Sequence, residues 1–190
     1  MDCKIIDIFV DPEGFGVTLS EETSRRKMDC ITKMLPKALE VENFHISTVT
    51  CFACHSRSVE WLPHKIKGVL RQCVEECGWR MVWSTTIADI ALIRTVEDML
   101  KKGTLSPTIM IIANDGDFTD IARKVVESGR TIIVMGTQIS ARLARVAHRT
   151  LDIWKYLGDN PSESNFELPD LMQSRGLPFN TINIPDVVHE

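Results

Sequence analysis

The chain has 190 residues, 44% of them hydrophobic and 25% charged, which suits one globular domain with a real core and a tail. No apolar run approaches the roughly 18 residues that span a membrane, and the opening MDCKIIDIFVDPEG has too short an apolar stretch for a signal peptide. A soluble, intracellular (cytoplasmic) protein with no membrane partner is therefore expected. The formal net charge of −4 resides in the tail: from Asp159 onward there are 6 acids against Arg175, leaving 20 of the 26 acids and 21 of the 22 bases in residues 1–158, a balance that does not exclude a polyanionic partner.

Strand and helix patterns alternate along residues 1–157. KIIDIFV (4–10) is apolar and β-branched and reads as a buried strand. TLSEETSRRKMDCITKML follows, with Thr18 and Glu21 at capping-box spacing and Pro36 set to end or kink the helix. FHISTVTCFA reads as the second strand. LPHKIKGVLRQCVEECG reads as a helix, with Pro63 near its first turn and Gly78 past its end. WRMVWS is a short third strand. TTIADIALIRTVEDMLKKG is a helix whose apolar stripe runs through Ile87, Ile90 and Ala91 and whose end is marked by Lys101, Lys102 and Gly103. TIMIIA is the fourth strand, DFTDIARKVVESG a helix, RTIIVMG the fifth strand, SARLARVAHR the last helix, and LDIW a short sixth strand.

This alternation predicts an α/β fold: a three-layer α/β/α sandwich around a mainly parallel sheet of five or six strands. The near-continuous apolar strands agree, since strands of a parallel sheet are buried on both faces. From residue 158 to 190, Pro, Ser, Asn and acids dominate and periodicity fails, so a C-terminal tail is expected, through which a homodimer or a protein partner could be held.

Six cysteines invite a zinc reading, with Cys51, Cys54 and His55 at CxxCH spacing and Cys73 and Cys77 one helical turn apart. The stronger reading is core packing. Cys51 and Ala53 share a strand face with Val49, and Cys73 and Cys77 share a helix face with Ile66, Val69 and Leu70.

In an open parallel sheet, ligands sit beyond the carboxyl ends of the strands. Acids recur there. Asp11 and Glu13 follow the first strand, Asp89 follows the third, and Asp115, Asp117 and Asp120 follow the fourth, while Thr137, Gln138 and Ser140 follow the fifth. No GxGxxG follows the first strand and no GxxxxGK[ST] occurs, which disfavours a nucleotide cofactor held in either way. Two carboxylates about 4 Å apart repel by roughly 1 kcal/mol in water and about 4 at an effective dielectric of 20. A cluster of them calls for protons or for a hard divalent cation, Mg²⁺ or Mn²⁺, which suits phosphodiester hydrolysis. A single acid ahead of a helix is more simply a cap. The coincidence at three strand ends carries the argument.

The blocks IFVDPEGF, IADIALI, IIANDGDFTDIARKVVESGRTIIVMG and SARLARVAHRTLDI resemble the successive blocks of the NYN domain, the LabA-like branch of the PIN-like ribonucleases, over about residues 4–155. That pattern is roughly D-x-E-N after the first strand, K-G-x-D-x-x-L at the helix, and S-G-D-G-D-F after the fourth strand. The resemblance implies a Rossmannoid, PIN-like fold and a metal-dependent endoribonuclease acting on single-stranded or structured RNA. Asp11, Asp89, Asp115 and Asp117 take the catalytic and metal-ligand positions, with Glu13 and Asp120 behind them. Gly14 stands where the pattern has Asn, Thr86 where it has Lys, and Ala113-Asn114 where it has Ser-Gly. These departures leave a second expectation, a weak or inactive module that binds RNA or protein.

Substrate contacts are expected from Asn114, Thr137 and Ser140, near the start of the last helix, and from Arg142, Arg145 and Arg149, whose spacing shares one helical face. Arg25, Arg26 and Lys27 form a second basic group, and His64, Lys65, Lys67 and Arg71 a third. Among the tryptophans, Trp83 is expected in the core and Trp61 is the candidate for base stacking.

Overall fold

The computed structural model describes residues 4–14, 20–41, 43–54 and 64–152. The expected tail (158–190), Thr18, His55, Trp61 and Trp154 lie outside them.

Six strands form one sheet in the order β3-β2-β1-β4-β5-β6, every neighbouring pair parallel. They are β1 (Lys4–Val10), β2 (Phe44–Cys54), β3 (Arg80–Ser84), β4 (Thr108–Ile112), β5 (Thr131–Gly136) and β6 (Arg149–Asp152). The helices are α1 (Glu21–Asp29), α2 (Leu35–Val41), α3 (His64–Glu76), α4 (Ala88–Lys102), α5 (Thr119–Glu127) and α6 (Ala141–Val146).

The sheet separates two cores. Ile6, Ile8 and Val10 of β1 point to one side, against Met28 and Ile31 and against Val69 and Leu70 of α3. Phe9 points to the other, with Leu92 and Val96 of α4, Ile121 and Val125 of α5, and Leu143 of α6. Strands buried on both faces and helices on each side make the expected three-layer sandwich. The strand order reverses between β1 and β4, and that pair's carboxyl ends are where such a sheet leaves a crevice.

Several boundaries differ from the sequence expectation. α1 begins at Glu21 with Ser20 as its cap, whose Oγ accepts the Thr23 N–H at 3.1 Å, rather than with Thr18. A π-helical turn (Cys30–Met34) widens the helix just ahead of Pro36, and the helix resumes as α2. In α4 the buried stripe is Ala88, Leu92 and Val96, while Ile87 is 57% exposed and Ile90 also faces outward. The last helix stops at Val146, and Arg149 belongs to β6. Lys27 is buried, so Arg25, Arg26 and Lys27 are not one exposed basic patch. Trp79 and Trp83 are partly buried against the first core, and the Arg71 guanidinium lies 5.7 Å from the centre of a Trp83 ring.

Cys30, Cys51, Cys54 and Cys73 are buried, and burial pushes the Cys30 thiol up to about 12 and the Cys51 thiol higher still. They pack as small hydrophobes. Among the described residues, no set of cysteines converges as metal ligands. Among those residues, too, no helix is long and apolar enough to cross a membrane.

Candidate metal centre

β1 and β4 run side by side, and the ladder continues past them: the Asp11 N–H donates to the Ile112 carbonyl at 2.9 Å, and the Ala113 N–H to the Met135 carbonyl at 2.9 Å. The rigid sheet therefore carries the backbone to the base of both acidic loops. Asp11 is 1% exposed. Its Oδ2 accepts the Gly14 N–H at 3.1 Å, and its Oδ1 is buried with no hydrogen-bond partner.

Asp115 caps the short 3₁₀ turn Gly116–Phe118, its Oδ1 accepting the Asp117 N–H at 3.1 Å. Capping of this turn thus falls to Asp115. Both side chains remain exposed. Asp89 enters from the opposite side, in the first turn of α4, where the helix dipole favours an anion. The chain reaches it through a tight corner after β3: the Ser84 and Thr86 hydroxyls are 2.9 Å apart, and the Thr86 N–H donates to Ser84 Oγ at 3.1 Å.

These elements bring carboxylate oxygens of Asp89, Asp115 and Asp117 within 4.8 Å of one another. Asp11, expected as a fourth member, is not among these three and adjoins them through Asp89. Burial, and after it the charge of Asp89, raises the Asp11 carboxyl well above the usual carboxylate range, and the Gly14 N–H only partly offsets this. Asp89 is raised too, first by burial and then by the charges of Asp115, Asp117 and Glu13, against a lowering contact with Asp11. The donor set fits a hard divalent cation: oxygen ligands alone, an unsatisfied buried oxygen beside them, and an exposed side for water or substrate.

The remaining expected residues sort by their contacts. Glu13 Oε1 accepts the Cys54 N–H at 2.8 Å, which ties the β1 loop to the end of β2 beside the acids. Asp120, expected behind the cluster, instead pairs with Arg123 at 3.1 Å with its side chain 77% exposed, because one helical turn carries it away from the 3₁₀ turn. Asn114, expected at the substrate, spends its side chain on the loop after β5. Its Oδ1 accepts the Thr137 and Gln138 N–H groups at 2.8 and 3.0 Å, and its Nδ2 donates to Thr137 Oγ1 at 2.8 Å. Its carbonyl takes the Ser140 N–H at 2.8 Å.

That loop presses on the acidic turn. A Cβ at Gly116 would lie 2.9 Å from Ser140 Oγ, and one at Gly136 would strike Asn114 Oδ1. Ser140 therefore sits beside Asp115 and Asp117. Arg142 and Arg145 are exposed on α6, which packs against the same turn. Arg149 is set apart from them in β6. Sequence reasoning missed Asp7, a second buried acid of β1, whose partners are remote in the chain: Thr48 Oγ1 and the Ser106 N–H donate to it, each at 2.8 Å.

The chain matches the NYN domain over residues 41–157, more than half its length. It belongs to the NYN family. NYN domains are PIN-like nucleases by fold, and the matched segment contains Asp89, Asp115 and Asp117, while Asp11 and Glu13 precede it. No curated protein matches the sequence. A crystal structure of a protein of unknown function from Vibrio parahaemolyticus aligns with a TM-score of 0.57 at 13% identity, over 81% of this chain and 96% of that one, and shares the fold. A Parabacteroides merdae protein, provisionally described as an oxidoreductase, aligns over 79% of this chain and 31% of that one, at 12% identity and a TM-score of 0.38.

Proposed function

We propose that this NYN domain is a divalent-cation-dependent endoribonuclease. The observation that carries the reading is Asp11 Oδ1, a buried acceptor with no partner, beside three further acids at the switch in strand order. An apolar core has no use for such an atom, and leaving it unpaired costs about 1–3 kcal/mol or more.

Asp89, Asp115 and Asp117 would hold Mg²⁺ or Mn²⁺, with Asp11 completing the set. When bound, such an ion acts as a Lewis acid for phosphodiester hydrolysis. The protein's own groups do the rest. Burial and mutual repulsion shift Asp11 and Asp89 toward the protonated form, so a bound cation would compete with a proton there. Glu13, anchored on the Cys54 N–H, adds negative charge behind them. Asn114 holds the Thr137–Ser140 loop against the acidic turn, so that Thr137 and Ser140 flank the position of the scissile phosphate. Arg142 and Arg145 would take neighbouring phosphates of the RNA.

The test is cleavage of labelled single-stranded RNA with Mn²⁺, Mg²⁺ or EDTA, comparing wild type with Asp115→Asn. Cation-dependent cleavage lost in the variant supports the nuclease. RNA binding without cleavage, indifferent to cation and to the variant, would leave a binding module instead.

A further inference from the structure

Gly14 is the glycine whose side-chain space is taken by an acid of the site. A Cβ built on it falls far inside contact distance of Asp11 Oδ2. The left-handed glycines among the described residues are Gly78, Gly103 and Gly129, so the backbone at Gly14 does not itself demand glycine. What demands it is the carboxylate, which folds back over the loop to accept the Gly14 N–H at 3.1 Å. The opposite oxygen, Oδ1, is left buried without a partner.

We infer that Gly14 is a positioning residue that ties up Asp11 Oδ2 and makes Asp11 a one-oxygen ligand, so that the site selects a small octahedral cation over Ca²⁺. This rests on the reading that the acids hold a divalent cation. An oxygen already engaged by a backbone N–H, on a side chain only 1% exposed, is not free to swing round and chelate through both oxygens. Mg²⁺ and Mn²⁺ are bound through single carboxylate oxygens at short distance, whereas Ca²⁺ takes more ligands at longer distance and commonly uses both oxygens of a carboxylate. A side chain at position 14 would displace Oδ2 from its N–H and so remove the hold that keeps this oxygen out of the coordination sphere.

The experiment is calorimetric titration of the chelator-stripped full chain with Mn²⁺ alone and Ca²⁺ alone, for wild type, Gly14→Ala and Asp115→Asn. Wild type is expected to favour Mn²⁺ over Ca²⁺. Gly14→Ala is expected to weaken Mn²⁺ by about tenfold or more, as loss of a group orienting a ligand does, and to narrow the Mn²⁺/Ca²⁺ ratio. An unchanged ratio in Gly14→Ala, with Mn²⁺ binding still lost in Asp115→Asn, overturns the inference and leaves the cation site standing. No Mn²⁺ binding by wild type removes the cation reading itself, and this inference with it.

Misfolding of the variant is separated by a double-mutant cycle in urea. The lowered midpoint of Gly14→Ala should recover when Asp11→Ala is added, because the added methyl then meets no carboxylate. An equal loss with and without Asp11 would show that Gly14 acts elsewhere and overturn the proposal.

Discussion

Asp7 and Asp11 leave β1 on the same face, each 1% exposed, and the fold satisfies one while leaving the other half bare. Asp7 accepts the Thr48 hydroxyl and the Ser106 N–H, one on each oxygen, at 2.8 Å. Asp11 has the Gly14 N–H on Oδ2, no donor on Oδ1, and the Asp89 carboxyl against its own. The same residue type is hydrogen-bonded through both oxygens within β1 and through one just past its end.

Neutralising the two acids should therefore have opposite effects. Asp11→Asn removes a buried charge beside Asp89 and should raise the stability of the metal-free protein at neutral pH, on the order of 1 kcal/mol. Asp7→Asn turns an amide N–H toward an N–H or O–H donor and should lower stability by about 1–3 kcal/mol. Urea unfolding in EDTA measures both. A destabilised Asp11→Asn would mean that its carboxylate is a structural group like Asp7.

The gain from Asp11→Asn should also depend on pH. The folded protein holds the Asp11 proton more tightly than the unfolded chain does. Its stability is then fully present below the ordinary carboxylate value, about 3.9, and is lost as pH rises through the raised folded value. Wild type and Asp11→Asn should converge in acid and separate as pH rises. Cation binding runs the other way: Mn²⁺ must displace the proton, so its affinity should climb with pH, up to about tenfold per unit for each proton released. Calorimetry in two buffers of different ionisation enthalpy counts that proton. Affinity independent of pH would place the ion away from Asp11 and Asp89.

What the sequence disclosed was local, and what it hid was long-range. The alternation of apolar strands with helical segments is written in neighbouring residues, and so is the recurrence of acids after β1 and β4. Asp7 could not be read, since Thr48 and Ser106 lie 41 and 99 residues away. In α4, Ile87–Ile90–Ala91 and Ala88–Leu92–Val96 are overlapping stripes that both suit a helical period, and packing against the sheet selects the second. Arg149 fits a helix by spacing, but the chain leaves helical geometry at Ala147. The His148 N–H then donates to the Ile132 carbonyl at 3.0 Å and His148 Nδ1 accepts the Ile132 N–H at 3.2 Å, drawing the next residues into β6. Strand pairing with β5 outweighs the propensity of one more helical turn.

Asn114 links the two halves of the site, and its loss should be felt in both. Asn114→Ala leaves the Thr137 and Gln138 N–H groups and the Thr137 hydroxyl without their partner, lowering stability by about 1–3 kcal/mol. The loop bearing Ser140 then loses its hold on the Asp115–Asp117 turn. RNA cleavage should fall through kcat more than through KM, because the variant misplaces groups around the reacting phosphate without removing phosphate contacts. A rise in KM at constant kcat would instead restore Asn114 to the role of a direct substrate contact.

The arginines should divide as the fold divides them. Arg142 and Arg145 are exposed on α6 beside the acidic turn, whereas Arg149 lies in β6 and is half-buried. If the first two neutralise RNA phosphates, each contact releases counterions, and the affinity for single-stranded RNA falls with salt in proportion to their number. Changing both to Ala should weaken binding at low salt and flatten the slope of log affinity against log salt by about 1.4, at roughly 0.7 per lost contact. Arg149→Ala should leave that slope unchanged. Binding measured by fluorescence anisotropy from low to moderate salt, with Asp115→Asn as the background so that no RNA is cut, tests the division. An equal effect of all three would mean that RNA crosses β6 as well as α6.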